Sequence, residues 1–188
     1  MLIVIFLFIS ITIIHANTYI DSMFLYQNTG DTHAQSGVGL KLATSINNNL
    51  NFFIKPTYTY TSKKNELNSE IKYHQMQGLL GIEYLYFFNT FPFGFHINGG
   101  AGISHIKVEP QNKSLGLKNT EKTGIGWDIW MGCQYAITQR VVPFLAIGYS
   151  KSHFRSDSNY SNIGGFGISI GIRYIICGMN KPLFDQYE

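Results

Sequence analysis

Histidine and serine are the residues of this sequence that could supply a base, a nucleophile or a metal ligand. Ser104 directly precedes His105, and Ser156 follows His153 by three positions. A nucleophile needs a base within hydrogen-bond reach and a third group that orients the base, and neither spacing predicts such a triad. The histidines after the first sixteen residues also lack metal-ligand spacing: His33, His74, His96, His105 and His153. We therefore expect no catalytic residue, no metal and no cofactor.

Charged residues are scarce, and some of them stand in glycine-rich or apolar segments. Asp, Glu, Lys and Arg make up 13% of the 188 residues, about half the usual fraction of a soluble domain. Charges inside a narrow structure must pair or be solvated. We predict an interior network of salt bridges, in which Glu83 pairs with Lys41, Lys55 or both; a gated path for ions is the alternative. The network comprises Lys41, Lys55, Glu83, Asp128 and Arg173, with His96 beside them.

The elements that would position these charges are β-strands, because residues alternate between apolar and polar with a period of two. The predicted strands are 18–27, 36–45, 49–61, 72–88, 93–107, 122–137, 140–153 and 162–176. The connections between them are alternately long and short. An even number of antiparallel strands puts both termini and every short turn at one end, which is typical of a transmembrane β-barrel.

The predicted strands carry bulky residues on one face and small or polar residues on the other. In the last strand, Phe166, Ile168 and Ile170 oppose Gly167 and Ser169. An eight-stranded barrel has room only for side chains that just fill it, so we expect the bulky face to point outward. Such a surface would aggregate in water but suits lipid. A soluble, lipocalin-like barrel with the bulky face inside is the alternative.

Aromatic residues near the strand ends strengthen the membrane interpretation. One group lies toward the long connections and another toward the short ones, as in the two interfacial girdles of membrane barrels. These groups are Tyr58, Tyr60, Trp127 and Tyr149, and Phe88, Phe93, Tyr135 and Tyr174. The fold class that we predict is all-β: an eight-stranded antiparallel up-and-down transmembrane β-barrel.

The first sixteen residues have the character of a targeting segment. Leu2 to Ile14 is an apolar run that is too short for a membrane-spanning helix, which needs about 20 residues. It ends at Ile14-His15-Ala16, a small-residue cleavage site. We predict a signal peptide over 1–16, a barrel domain over 17–177 and a short periplasmic tail over 178–188. A retained N-terminal anchor helix is the alternative.

Charge and cysteine content exclude other classes of protein. The net charge is +3 without a basic run, which argues against nucleic-acid binding. The two cysteines, Cys133 and Cys177, come from the sixth and eighth predicted strands, roughly 9–10 Å apart at normal strand spacing. A disulfide would strain that geometry, so free thiols are expected.

Three stretches carry a resemblance to a known family. They are Pro92–Ile103, Gly126–Thr138 and Ser169–Ile176. With the strand pattern, they resemble the small eight-stranded outer-membrane barrels of Gram-negative bacteria: the opacity-type surface proteins, outer membrane protein X and the transmembrane domain of outer membrane protein A. In this family the last strand is read by the barrel-assembly machinery. The resemblance implies an assembly signal at Ser169, Gly171, Tyr174 and Ile176.

The resemblance also implies a location, partners and a role. We expect a monomer in the bacterial outer membrane, in contact with membrane lipid, lipopolysaccharide and the barrel-assembly machinery. Its expected role is structural or adhesin-like, with a host surface ligand as one partner. An outer-leaflet lipid-modifying enzyme is the alternative; lipid A deacylases use His and Ser two residues apart, which neither His105 nor His153 matches.

Overall fold

The chain forms eight β-strands in a computed structural model that describes residues 18–29, 33–64, 70–88, 91–110, 119–154 and 162–177. Each predicted strand is present, and each boundary lies within three residues of its predicted position. The predicted signal peptide and tail lie outside the described residues. The strands are β1 (Thr18–Thr29), β2 (His33–Ser45), β3 (Leu50–Lys64), β4 (Glu70–Phe87), β5 (Phe93–Pro110), β6 (Thr120–Tyr135), β7 (Val141–Phe154) and β8 (Asn162–Cys177).

Each strand pairs antiparallel with the next, and β1 pairs with β8 to close the barrel. At the closing interface Asp21 lies opposite Arg173, and Thr29 lies opposite Gly165. The predicted fold class is therefore confirmed. Within the described residues, no helix has the length and apolar character required for a membrane crossing.

The short connections lie at the end where β1 begins and β8 ends, which we call the turn end; the opposite end is the loop end. Asn47 and Thr138 form two of these turns with their side chains. The Asn47 Oδ1 atom accepts a hydrogen bond of 2.8 Å from the Leu50 amide. The Thr138 Oγ1 atom accepts one of 3.0 Å from the Val141 amide. Side-chain oxygens of this kind stabilise tight turns.

The bulky face points outward, as the alternation predicts. Large apolar side chains such as Phe166, Ile170 and Ile129 are exposed on the outside of the barrel. The alternative with the bulky face inside is therefore wrong. Cys133 is a free cysteine on this outer face.

The inner face also holds large apolar residues, which the sequence analysis did not expect. Phe53 and Leu79 are fully buried, and Trp130 is nearly so. Glycines on the adjacent strands β4 and β5 make room for Phe53. A Cβ atom on Gly100 would lie 3.1 Å from Cζ of Phe53, and one on Gly81 would collide with the same ring.

Two apolar clusters close the interior at its ends, with polar residues and a smaller apolar cluster of Leu25, Trp130 and Ala146 between them. The turn-end cluster consists of Tyr19, Ala43, Phe53, Ala136, Val142 and Ile175. The loop-end cluster consists of Tyr73, Ile106, Val108, Phe154 and Ile163. The interior is therefore packed in layers along the barrel axis.

Candidate functional site: the interior charge network

Arg173 is the centre of the larger group of interior charges. Its Nε and Nη2 atoms donate hydrogen bonds of 2.8 and 2.9 Å to the two carboxylate oxygens of Asp21. Nη2 also donates to Glu83 Oε1 at 2.9 Å, and Nη1 donates to Gln134 Oε1 at 3.0 Å. Two parallel bonds between a guanidinium and a carboxylate are stronger and more specific than a single contact.

Lys41 completes this group from β2. Its Nζ atom lies 2.7 Å from Asp21 Oδ2 and 2.7 Å from Glu83 Oε1. Two acidic and two basic side chains thus balance each other, and all four are buried. We call Asp21, Lys41, Glu83 and Arg173 the Arg173 cluster. The ring of Tyr19 lies beneath it, with its centroid 4.1 Å from Cζ of Arg173.

Lys55 and Asp128 form a second, separate ion pair. The Trp130 indole Nε1 donates a hydrogen bond of 3.0 Å to Asp128 Oδ2. The ring of Phe53 contacts both groups, because Lys41 Nζ and Lys55 Nζ lie 5.7 and 5.5 Å from its centroid. Cations at these distances from an aromatic face are attracted to it.

The five charged residues singled out in the sequence all point into the barrel, but they are divided between two groups. Of the two lysines considered as partners of Glu83, Lys41 contacts it, whereas Lys55 contacts Asp128. His96 is buried beside these groups, and its ring packs edge-on against Phe144 with the ring centroids 5.6 Å apart.

Asp21 lies fully buried at the centre of the network, but it was not among the residues predicted from the sequence. Both faces of β1 carry apolar residues, so alternation alone does not assign its inward side. The count of predicted interior charges did indicate that an acidic residue was missing. The five predicted residues contain three basic and two acidic groups, and a neutral interior requires one more acid.

A neutral polar layer lies nearer the loop end. Ser152 Oγ accepts hydrogen bonds of 2.8 and 2.7 Å from the side-chain amides of Gln75 and Gln77. It donates one of 2.9 Å to Ser104 Oγ. We call these four residues the serine–glutamine layer.

The serines of this layer are not positioned as nucleophiles next to the neighbouring histidines. Ser104 and Ser152 face inward, so His105 and His153, which follow them in the strands, face outward. The described residues contain no group of three potential metal ligands. The described geometry thus brings no nucleophile, base and orienting acid together.

The outer surface of β4, β5 and β6 is polar near the loop end. The residues that share this surface, here called the outer polar patch, are Lys72, His74, His105, Lys107, Glu109 and Glu121. Lys107 Nζ lies 2.7 Å from Glu109 Oε1, and Tyr58 Oη lies 2.7 Å from His74 Nδ1. The hydrogen bond from Lys107 holds the pKa of the Glu109 carboxyl below its ordinary value.

The residues proposed as an assembly signal occupy both faces of β8. Ser169 and Gly171 face inward, and a Cβ atom on Gly171 would lie 2.6 Å from Cζ of Phe144. Tyr174 and Ile176 are exposed on the outer face. The four residues therefore do not form one continuous surface.

Comparison with known proteins places this architecture among characterised barrels. A protein-family model described as "Outer membrane protein beta-barrel domain" matches residues 11–175. No curated protein sequence matches the chain.

Solved structures share the fold. Neisserial surface protein A has a TM-score of 0.61 at 16% identity, over 86% of this chain and 97% of that protein. Ail of Yersinia pestis, in complex with the heparin analogue sucrose octasulfate, has a TM-score of 0.54 at 13% identity, over 85% and 99%. OprG of Pseudomonas aeruginosa has a TM-score of 0.53 at 13% identity, over 86% and 97%.

Proposed function

Since the chain belongs to the family of outer membrane protein β-barrel domains, we propose that it is a non-enzymatic, monomeric surface protein whose loop end binds ligands outside the cell. The protein lies in the bacterial outer membrane. The observation that carries the proposal is the packed interior, in which apolar clusters at both ends enclose balanced charges. A barrel packed in this way is suited to display its loop end rather than to pass solutes.

The outer polar patch supports a binding role at the loop end. Strands β4 and β5, with 18 residues each, are the longest described strands. On the outer face of the barrel the apolar surface ends near Met76 and Ile103, both exposed. Beyond them the outward residues are charged or polar. This part of the barrel would stand above the lipid and support the connecting loops, where the function of such barrels resides.

For the ligand, we propose an adhesin-like interaction with an anionic glycan of a host surface. The structure of Ail in complex with a heparin analogue supports this choice of ligand class. In this chain Lys72 and Lys107 would supply cationic groups at the outer polar patch, and Lys107 would exchange its contacts with Glu109 and Glu121 for the ligand. Lysines of the connecting segments, such as Lys113, would add to this charge.

Membrane components are the other proposed partners. The apolar outer face would contact membrane lipid, and the lysines of the outer polar patch would lie near lipopolysaccharide phosphates. Aromatic contacts on the turn-end side of the patch support this placement: Trp127 lies opposite Ala101, nearer the turn end than Lys107. Tyr149 lies 5.6 Å from Trp127 and 5.1 Å from Phe166 between ring centroids. We also propose that Ser169, Gly171, Tyr174 and Ile176 guide β8 to the barrel-assembly machinery.

Binding of the purified barrel to immobilised heparin tests the proposed surface role. In nanodiscs, the double variant Lys72→Gln, Lys107→Gln should elute at lower salt than the unchanged protein. Arg140→Gln is the matched control, because it removes an exposed charge at the turn end. Heat-modifiable gel migration verifies that each variant is folded. The proposal would be contradicted if the control eluted at a salt concentration as low as that of the double variant, or if the unchanged protein were not retained on heparin.

A further inference from the structure

A small cavity lies in the interior beside both groups of charges. Its volume is about 20 Å³, and Lys41 of the Arg173 cluster and Lys55 of the second pair both line it. A cavity needs roughly 10–15 Å³ of this kind of space to hold one water molecule. The cavity is thus large enough for one water and too small for an organic ligand.

Three other residues that line the cavity carry polar atoms without a hydrogen-bond partner. They are His96 Nδ1, Asn98 Oδ1 and Ser169 Oγ. The exposed fractions of these residues are only 2%, 6% and 2%. Buried polar atoms in native proteins are paired with protein groups or with ordered water. Three unpaired atoms around one cavity therefore point to a ligand that can both donate and accept hydrogen bonds.

We infer that this cavity is a binding site for one ordered water molecule. Water can donate to the Asn98 carbonyl oxygen and can either donate to or accept from the Ser169 hydroxyl, and it can pair with whichever form His96 Nδ1 takes. A cation is disfavoured because two lysine ammonium groups line the site. An anion is disfavoured because the six interior charges, three acidic and three basic, already balance. An added ion would be an uncompensated buried charge.

The water joins strands that do not pair with each other. His96 and Asn98 belong to β5, whereas Ser169 belongs to β8. In the barrel, β5 pairs with β4 and β6, and β8 pairs with β7 and β1. A water bonded to both would connect two parts of the wall that are three strands apart, at the level of the two charged groups. This role is independent of any surface ligand.

Crystallography of the refolded barrel in a bromide-containing buffer tests the inference directly. We expect one peak of water density within hydrogen-bond distance of Asn98 Oδ1 and Ser169 Oγ, without anomalous signal from bromide. An empty cavity would refute the site, and a bromide peak would assign it to an anion instead.

A stability measurement gives a second, independent test. If the cavity holds water, Ser169→Ala removes one of its partners and should lower the urea midpoint of unfolding in detergent micelles. If the cavity is dry, the same change removes an unpaired buried hydroxyl and should leave the midpoint unchanged or raise it. Ser152→Ala is the positive control, because Ser152 has protein partners. A midpoint for Ser169→Ala at or above that of the unchanged protein overturns the inference.

Discussion

Arg173 and Asp21 face each other across the interface that closes the barrel, joined by two hydrogen bonds of 2.8 and 2.9 Å. The two residues belong to the last and the first strand. Both are completely buried. The pair that connects the ends of the sheet is therefore also the centre of the interior charge network.

Replacing Asp21 with Asn should destabilise the barrel strongly. The change leaves Arg173 and Lys41 short of a counter-charge, and removing one partner of a buried pair typically costs about 3–5 kcal/mol. Urea titration of unfolding in lipid vesicles measures the effect. Glu109→Gln is the control, because its contact with Lys107 is at the surface. An Asp21→Asn barrel as stable as this control would contradict the assigned role of Asp21.

Glu83 should be coupled to Lys41 and not to Lys55. Double-mutant cycles with Glu83→Gln and either Lys41→Met or Lys55→Met measure the two coupling free energies. Contacting charged residues typically couple by about 0.5–3 kcal/mol, whereas residues without shared partners are nearly additive. We expect a coupling in this range for Lys41 only. Zero coupling to both lysines would instead favour a hydrated interior and a path for ions.

Ile170→Arg tests the assignment of the outer face to lipid. An arginine near the middle of the bilayer on the lipid face of a barrel costs about 2–4 kcal/mol, so the yield of folding into liposomes should fall. Gln139→Arg is the matched control, since Gln139 is exposed at the turn end. Equal folding yields for the two variants would show that Ile170 does not face lipid.

Protease accessibility tests the orientation in the membrane. Trypsin added to intact cells should cleave at Lys113, in the connection between β5 and β6, and should spare Arg140 at the turn end. Permeabilising the outer membrane should expose Arg140. Cleavage at Arg140 in intact cells would invert the proposed topology.

The contact between Lys107 and Glu109 should depend on pH in a defined direction. The hydrogen bond from Lys107 lowers the pKa of Glu109, so the contact is present above that pKa and is lost as the pH falls through it. In Lys107→Gln the pKa of Glu109 should rise toward its ordinary value. Carboxyl carbon chemical shifts in an NMR titration measure both pKa values; an unchanged pKa would contradict the contact.

Strand positions could be predicted because successive side chains of each strand point alternately to the lipid-facing surface and to the interior, which gives a period of two. In β8, glycine and serine alternate with isoleucine over Gly167–Ile172, so the inward face is unambiguous there. In β1, Tyr19 and Ile20 are both apolar, yet Tyr19 is buried and Ile20 is partly exposed. Local alternation contains no information about which of two apolar faces points inward, so Asp21 was missed.

The partner of Lys55 could not be predicted from its distance to the nearest turn. Strands in a closed barrel are staggered against one another. In the β3–β4 pairing, Glu83 lies opposite Asn51, and Lys55 lies opposite Leu79. Lys55 therefore lies four residues nearer the loop end than Asn51, the residue opposite Glu83. In that position Lys55 contacts Asp128. The stagger is a property of the closed sheet and not of any single strand.

The large interior residues were missed for a related reason. Phe53 fits inside only because Gly81 and Gly100 on the adjacent strands β4 and β5 leave space for its ring. These three residues belong to three different strands. Volume arguments applied to one strand at a time predict overpacking, whereas the assembled barrel combines large and small residues at the same level.

The distribution of the Arg173 cluster over four strands has a consequence for how the chain enters the membrane. Its charges come from β1, β2, β4 and β8. Arg173 meets Asp21 and Glu83 only after the last strand has met the first, and until then the two carboxylates have only Lys41 to balance them. A partly inserted sheet would present unpaired charges to hydrocarbon, which is costly. Insertion and closure must then occur as one cooperative event, with no stable half-inserted intermediate along the way.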